Sequence, residues 1–186
     1  AGRGVVTTAT YEARAFGVNS AMGMMKAAAK APDAVLLPVD FDEYRRYSRL
    51  FKAAVRAIAP QVEDRGIDEI YVDLTDVVAA RLTVDADADP DDAQQEVWWC
   101  AREVAGELKQ AVRDATGLSC SVGLAPNKLI AKIASELDKP DGLALVTEAD
   151  VATRLWPLPV RRLHGVGPKS AAKLAALGIA SIGELA

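Results

Sequence analysis

Cysteine and histidine are scarce in this 186-residue sequence: two cysteines, Cys100 and Cys120, and one histidine, His164. So few thiols argue against a disulfide framework and for a reducing, cytoplasmic setting. They also leave too few ligands for a zinc site. Missing too is any apolar run near the roughly 18 residues of a membrane-spanning helix, so no membrane partner is expected. The opening Ala1-Gly2-Arg3-Gly4 lacks the apolar stretch of a signal peptide. Positive charge is not in excess either, since the net charge is −4. That deficit is local. Residues 83–96 hold five Asp, one Glu and no base, which leaves the remainder mildly basic at +2. Net charge therefore does not exclude a nucleic-acid partner.

What is present is an apolar fraction of 51%, enough to build one domain or two small ones. Gly4–Thr8 predicts a short strand, and Ser20–Lys30, rich in Ala and Met, a helix ended by Ala31-Pro32-Asp33. Ala34–Pro38 predicts a short buried strand. The clearest helix covers Phe41–Ala59, with Phe41, Tyr44, Phe51, Ala54, Val55 and Ile58 on one face, Asp40 as its cap and Pro60 just past its end. Two strands joined across Gly66 follow, over 61–65 and 67–74. The acidic 83–96 segment reads as a surface loop. A second long helix is predicted over Ala93–Thr116, with Val97, Ala101, Val104, Leu108 and Val112 as its stripe. Then come a strand at Ser119–Leu124, a helix at Pro126–Leu137 with proline in its first turn, and a strand at Leu143–Val146. Helix, strand, strand, helix, strand is most of a β-α-β-β-α-β split unit without its first strand. After Val146, short helices around a Gly-rich turn predict a separate small helical domain.

Four groups of residues carry candidate chemistry. Asp68-Glu69 places two carboxylates at a strand start, costly to bury without a cation. Hard divalent ions such as Mg²⁺ take such oxygens together with substrate phosphates. A bare pair fits a solvated turn as well. Thr8, Tyr11 and Arg14 recur at three-residue spacing, where hydroxyl, phenol and guanidinium can converge on a phosphate chain; a surface helix start has the same pattern. Lys128, Lys132 and Lys139 can bind phosphates as point charges. Charge alone leaves these as a solvated helix and a type I or II turn at Lys139-Pro140-Asp141-Gly142. Leu163-His164-Gly165-Val166-Gly167-Pro168-Lys169 matches a helix-hairpin-helix, whose backbone N–H groups beside a helix start grip DNA phosphates without reading sequence. Arg161, Arg162, Lys169 and Lys173 add positive charge there.

In this order the four groups resemble the Y-family DNA polymerases, most closely their DNA polymerase IV branch. The resemblance rests on Val5–Val18, Gly66–Asp73, Ser121–Ser135 and Lys139–Gly142 and runs over nearly the whole chain. It implies an α+β fold: fingers at 1–40, a ferredoxin-like split β-α-β palm at 41–146, and a partial helical thumb at 147–186. It implies that Asp68 and Glu69 are catalytic metal ligands for two Mg²⁺ ions. Thr8, Tyr11, Arg14 and Lys139 would hold the incoming dNTP, and Gly165, Val166, Gly167 and Lys169 would follow the primer-template DNA. The implied activity is lesion-tolerant, template-directed DNA synthesis. Phosphoryl transfer of this kind is mostly positioning and charge neutralisation.

The chain opens without Met and inside the fingers motif, so it reads as a fragment. The family's first metal-binding aspartate and its sugar-excluding aromatic lie upstream. Its C-terminal DNA-gripping domain and any sliding-clamp tail lie beyond Ala186. Taken alone the 186 residues are expected to be inactive. Competing readings are a non-catalytic accessory relative, which need not retain Asp68-Glu69, and a DNA-binding module using only the hairpin, which leaves Thr8, Tyr11, Arg14 and Lys139 unexplained. A nucleotide cyclase, with its similar palm, does not account for the thumb hairpin or the fingers motif.

Overall fold

The computed structural model describes residues 4–82 and 89–186. The chain divides into two compact units, Ala1–Tyr44 and Arg45–Ala186.

In the first unit the extended start makes, among the described residues, a single bridge, Val5 to Gly23, supported by Val6 N–H donating to Met22 O at 2.8 Å and Met24 N–H to Gly4 O at 3.0 Å. The strand predicted over Gly4–Thr8 is therefore reduced to this local pairing. Helix α1 spans Tyr11–Ala15, and its cap Thr10 accepts from Ala13 N–H. Helix α2 spans Met24–Lys30, starting later than predicted because Gly23 takes up the bridge and acts as its N-cap. The strand predicted at Ala34–Pro38 does not form. Val35, Leu36 and Leu37 are 85, 72 and 76% exposed. An apolar run becomes a strand only when a neighbour takes its N–H and C=O groups, and among the described residues none pairs with it.

Helix α3, Phe41–Ile58, begins where Asp40 accepts from Glu43 N–H at 3.0 Å, as the sequence predicts. Its buried positions, however, are Ser48, Lys52 and Val55, with Ala59 buried just past its end, so a lysine sits within the inward stripe. Strands β1 (Val62–Asp64) and β2 (Ile70–Val72) form the predicted antiparallel hairpin, Val62 opposite Val72 and Asp64 opposite Ile70. The short helix α4, Thr75–Ala79, was not predicted; Asp73 accepts from Thr75 N–H at 2.9 Å and starts it. Helix α5 runs over Pro90–Thr116, three residues earlier than predicted. Asp89 caps it, Pro90 fills its first turn, and Asp91 and Asp92 complement the positive end of the helix dipole. Part of the expected acidic loop is thus helix start; residues 83–88 of it lie outside the described residues. Gly117, at φ +72°, ends α5 in the left-handed conformation.

Strands β3 (Val122–Leu124) and β4 (Leu143–Leu145) pair in parallel, joined by α6, Lys128–Ala134. Asn127 rather than the expected proline turn starts α6, its side chain accepting from Ile130 N–H. Gly123 allows the close packing of β3 on α6, because a β-carbon there would stand 2.1 Å from Ala131 O. Beyond β4, short turns at Glu148–Asp150, Val151–Leu155 and Val160–Arg162 lead to α7 (Pro168–Ala176) and α8 (Ile182–Leu185). The architecture is the expected mixed α+β, with the strands among the described residues in two two-stranded ladders.

Two interiors hold this unit. The larger gathers Val55, Ala59, Val78, Cys100, Ala101, Val104, Leu108, Val112 and Leu124, which matches most of the stripe predicted for α5. The smaller joins Ile133, Ala134, Ala144 and Val146 to Leu155 and Ile182. The C-terminal helical segment therefore shares a core with α6 and β4. No described helix is long and apolar enough to cross a membrane.

Candidate active site

Asp68 and Glu69 stand in the turn that leads into β2, Asp68 exposed and Glu69 half-buried. The turn is closed by Arg65 N–H donating to Glu69 O at 3.0 Å. Glu69 pairs with Lys132 of α6 at 2.7 Å. This is the cation that an adjacent carboxylate pair needs if one member is to be partly buried. On the neighbouring hairpin surface Glu63 pairs with Lys128, also from α6, and that hydrogen bond holds the Glu63 carboxyl below the usual carboxylate range. Lys128 and Arg65 both lie near the Tyr71 ring, at 6.0 and 5.9 Å. The two helix lysines, one turn apart, thus each meet a carboxylate of the hairpin.

Lys139 follows α6 and pairs with Glu136 at 2.6 Å. Its peptide bond to Pro140 is cis and Asp141 lies at φ +54°, unlike the type I or II turn expected. The turn is tied to α5 by Lys109. The Lys109 ammonium donates to Asp141 O and Oδ1, both at 2.7 Å, and to Cys120 O at 2.5 Å. Arg113 adds a bond to the other Asp141 oxygen. The Lys109 hydrogen bond, then its charge and that of Arg113, hold the Asp141 carboxyl below its ordinary value. Nothing in the sequence alone singled out Lys109. Its position beside Leu108 on the stripe of α5 is the signal that was there to find.

In the first unit Thr8, Tyr11 and Arg14 are all exposed. Arg14 donates from Nε to Ala9 O at 2.9 Å, and its guanidinium lies 5.2 Å from the centre of the Tyr11 ring. Tyr11 and Arg14 therefore form one stacked pair on the outer face of α1, with the remaining guanidinium donors available to an anion. In the second unit Gly165, at φ +90°, turns the chain ahead of α7, and Val166 N–H donates back to Leu163 O at 3.0 Å. Gly167 caps α7 without a side chain; Lys169 is exposed beside that helix start and Lys173 is exposed in its last turn. The predicted hairpin is present.

A model of the impB/mucB/samB family matches residues 1–136. The chain belongs to the impB/mucB/samB family. A second model, the IMS family HHH motif, matches residues 148–179, which contain the hairpin just described. Relatives of this impB/mucB/samB member include the DNA polymerase IV of Ralstonia nicotianae, 40% identical over 98% of this chain and 46% of the relative. Another is DNA polymerase IV 1 of Bacillus subtilis, 40% identical over 99% of this chain and 40% of the relative. The chain thus spans less than half the length of these relatives. Among solved structures, the insertion ternary complex of Dbh DNA polymerase is similar with a TM-score of 0.79 and 31% identity, covering 96% of this chain and 47% of that one. The resemblance to Y-family DNA polymerases, drawn from four motifs, holds across the chain.

Asp68 and Glu69 offer the hard oxygen donors that a divalent ion takes when substrate phosphates complete its shell. Asp68 is exposed, which leaves room for that shell, whereas Glu69 is half-buried against Lys132. Among the described residues no group of three or more His, Cys, Asp or Glu side chains converges on one point.

Proposed function

We propose that the chain is the fingers, palm and partial thumb of a lesion-tolerant DNA polymerase that adds dNTP to a primer 3′ hydroxyl. The observation that carries the reading is the Asp68-Glu69 turn, raised on a hairpin and flanked by the lysines of α6. It occurs in a chain 40% identical to DNA polymerase IV of Ralstonia nicotianae over 98% of its length.

In this reading Asp68 and Glu69 hold divalent ions, Mg²⁺ being the ion proposed. When bound, such ions supply charge neutralisation and activation of the attacking hydroxyl. Lys132 keeps Glu69 oriented before the substrate arrives. Lys139 binds phosphate as a point charge. Arg14, stacked on Tyr11, offers a planar fork for two phosphate oxygens, and Thr8 adds a hydroxyl. The N–H groups of Gly165 and Gly167, both exposed, with Lys169, hold primer-template backbone without reading bases. A sliding clamp as partner and a cytoplasmic setting belong to the same proposal.

The test is primer extension with Mg²⁺ by the full-length gene product, comparing the native protein with Glu69→Ala. Extension by the native protein and a loss of several orders of magnitude in the variant is the expected result. If neither extends a primer while both bind primer-template DNA, the reading gives way to a non-catalytic relative or a hairpin binding module.

A further inference from the structure

Lys52 is a charged residue in the wrong place for an ordinary helix surface. It lies in the inward stripe of α3 and is only 8% exposed. Burying an ammonium is costly unless its donors are satisfied, and here all three have partners. Lys52 Nζ donates to Asp64 Oδ1 at 2.9 Å, Asp64 Oδ2 at 2.8 Å and Gly66 O at 2.5 Å. Asp64 Oδ1 in turn accepts from Gly66 N–H at 2.9 Å. Gly66 is thus held at both its N–H and its carbonyl, at φ +123°, a conformation that side chains disfavour.

Two residues beyond Gly66 comes Asp68, then Glu69, and the Arg65–Glu69 backbone bond closes the turn. The clasp therefore fixes the entry to the turn on the side of α3, while Lys132 holds its exit on the side of α6. An apolar side chain of similar length would fill the same space without the cost of burying a charge. What the ammonium adds is a fixed backbone at Gly66.

We propose that Lys52 is a positioning residue for the Asp68-Glu69 pair, acting through Asp64 and Gly66. The proposal rests on the polymerase reading for its kinetic consequence and on geometry alone for its structural one. Its test uses Lys52→Met in the full-length gene product, with three readouts: amide hydrogen exchange, Mn²⁺ binding by electron paramagnetic resonance, and steady-state primer extension. Hydrogen bonds to charged groups contribute enough that exchange over residues 65–69 should quicken by roughly tenfold, with α5 unchanged. Partners that orient metal ligands are worth about 10- to 100-fold in affinity or activity. Mn²⁺ affinity and kcat should fall within that range, with the KM for dNTP changing less than about twofold.

Unchanged exchange at 65–69 together with unchanged Mn²⁺ affinity overturns the proposal. So does a loss of kcat accompanied by equal quickening throughout α5, because that is global loosening. If Lys52→Met does not fold, Asp64→Asn decides. Asp64 is 52% exposed at its side chain, so the exchange is surface-tolerant, and it should shift the same readouts in the same direction to a smaller extent. An Asp64→Asn protein identical to the native one overturns the proposal. If the native full-length protein does not extend a primer while Lys52→Met still quickens exchange at 65–69, the polymerase reading fails and the clasp stands.

Discussion

Gly123 sits in β3 where α6 crosses it. A β-carbon there would lie 2.1 Å from the Ala131 carbonyl oxygen and 2.3 Å from the Ser135 nitrogen, more than an ångström inside ordinary contact. Both are backbone atoms, and they are the two ends of one helical hydrogen bond of 2.9 Å. No rotamer change relieves such a clash, so Gly123→Ala must push α6 away from the strand. The helix carries Ile133 and Ala134 into the smaller interior, and its displacement loosens their packing on Ala144 and Val146. Overpacking of this kind costs about 1–3 kcal/mol, and a rigid backbone obstacle belongs at the upper end. At about 2–4 °C per kcal/mol for a chain of this size, the melting midpoint should drop by about 6–12 °C in a circular dichroism scan. A replacement of glycine elsewhere in a compatible conformation stabilises by about 0.4–1 kcal/mol through the unfolded chain. A melting point unchanged or raised in Gly123→Ala would therefore refute the close approach of β3 and α6. Primer extension should fall as well, because the same displacement carries Lys132 away from Glu69.

Two further outcomes follow from the packing and the charges. Leu155 is 2% exposed in the smaller interior, so Leu155→Ala should cost about 2–5 kcal/mol, read as a lower urea midpoint; a loss under about 1 kcal/mol would contradict its place there. The Asp64 and Asp141 carboxyls are held below their ordinary range, first by the hydrogen bonds from Lys52 and Lys109 respectively. Their stabilising share is complete above the ordinary carboxylate pKa and is lost as pH falls through the depressed value, so the melting point should decline below about pH 4. Asp64→Asn should flatten that decline, and an identical pH profile would show that the Lys52 pair does not survive in solution.

Regularly spaced elements were legible from the sequence because one physical signal dominated each. The stripe of α5 and the cap of α3 were read to within a few residues, since apolar spacing and an Asp followed by a helical run leave little choice. The hairpin bearing Asp68-Glu69 was equally clear from its Gly66 break. Ala34–Pro38 was misread because composition reports what could pair, whereas a strand needs a neighbour in register. The start of α5 was missed because its acidic run looks like a solvated loop, although Asp89-Pro90-Asp91-Asp92 is also a good helix opening. Of the site, the carboxylate pair and the basic groups were visible as motifs. The lysines that hold their turns, Lys52 and Lys109, were not, because a single charge inside an apolar stripe carries no partner in the sequence. Asp64 is 12 residues from Lys52 and Asp141 is 32 from Lys109, and only the fold brings them together.

The smaller interior has a mechanical meaning. Leu155 and Ile182, from the segment that carries the 165–169 hairpin, are wedged against Ala144 and Val146, and Ala144 is two residues from the Gly142 end of the Lys139 turn. The hairpin and that turn are two fittings on one bracket. In the proposed reading, a load applied by a duplex at Gly165–Lys169 is passed through Leu155 and Ile182 to β4. Stripping off residues 147–186 would not free a self-sufficient remainder, because it would tear away half of the bracket and leave the seat of Lys139 resting on an open apolar face.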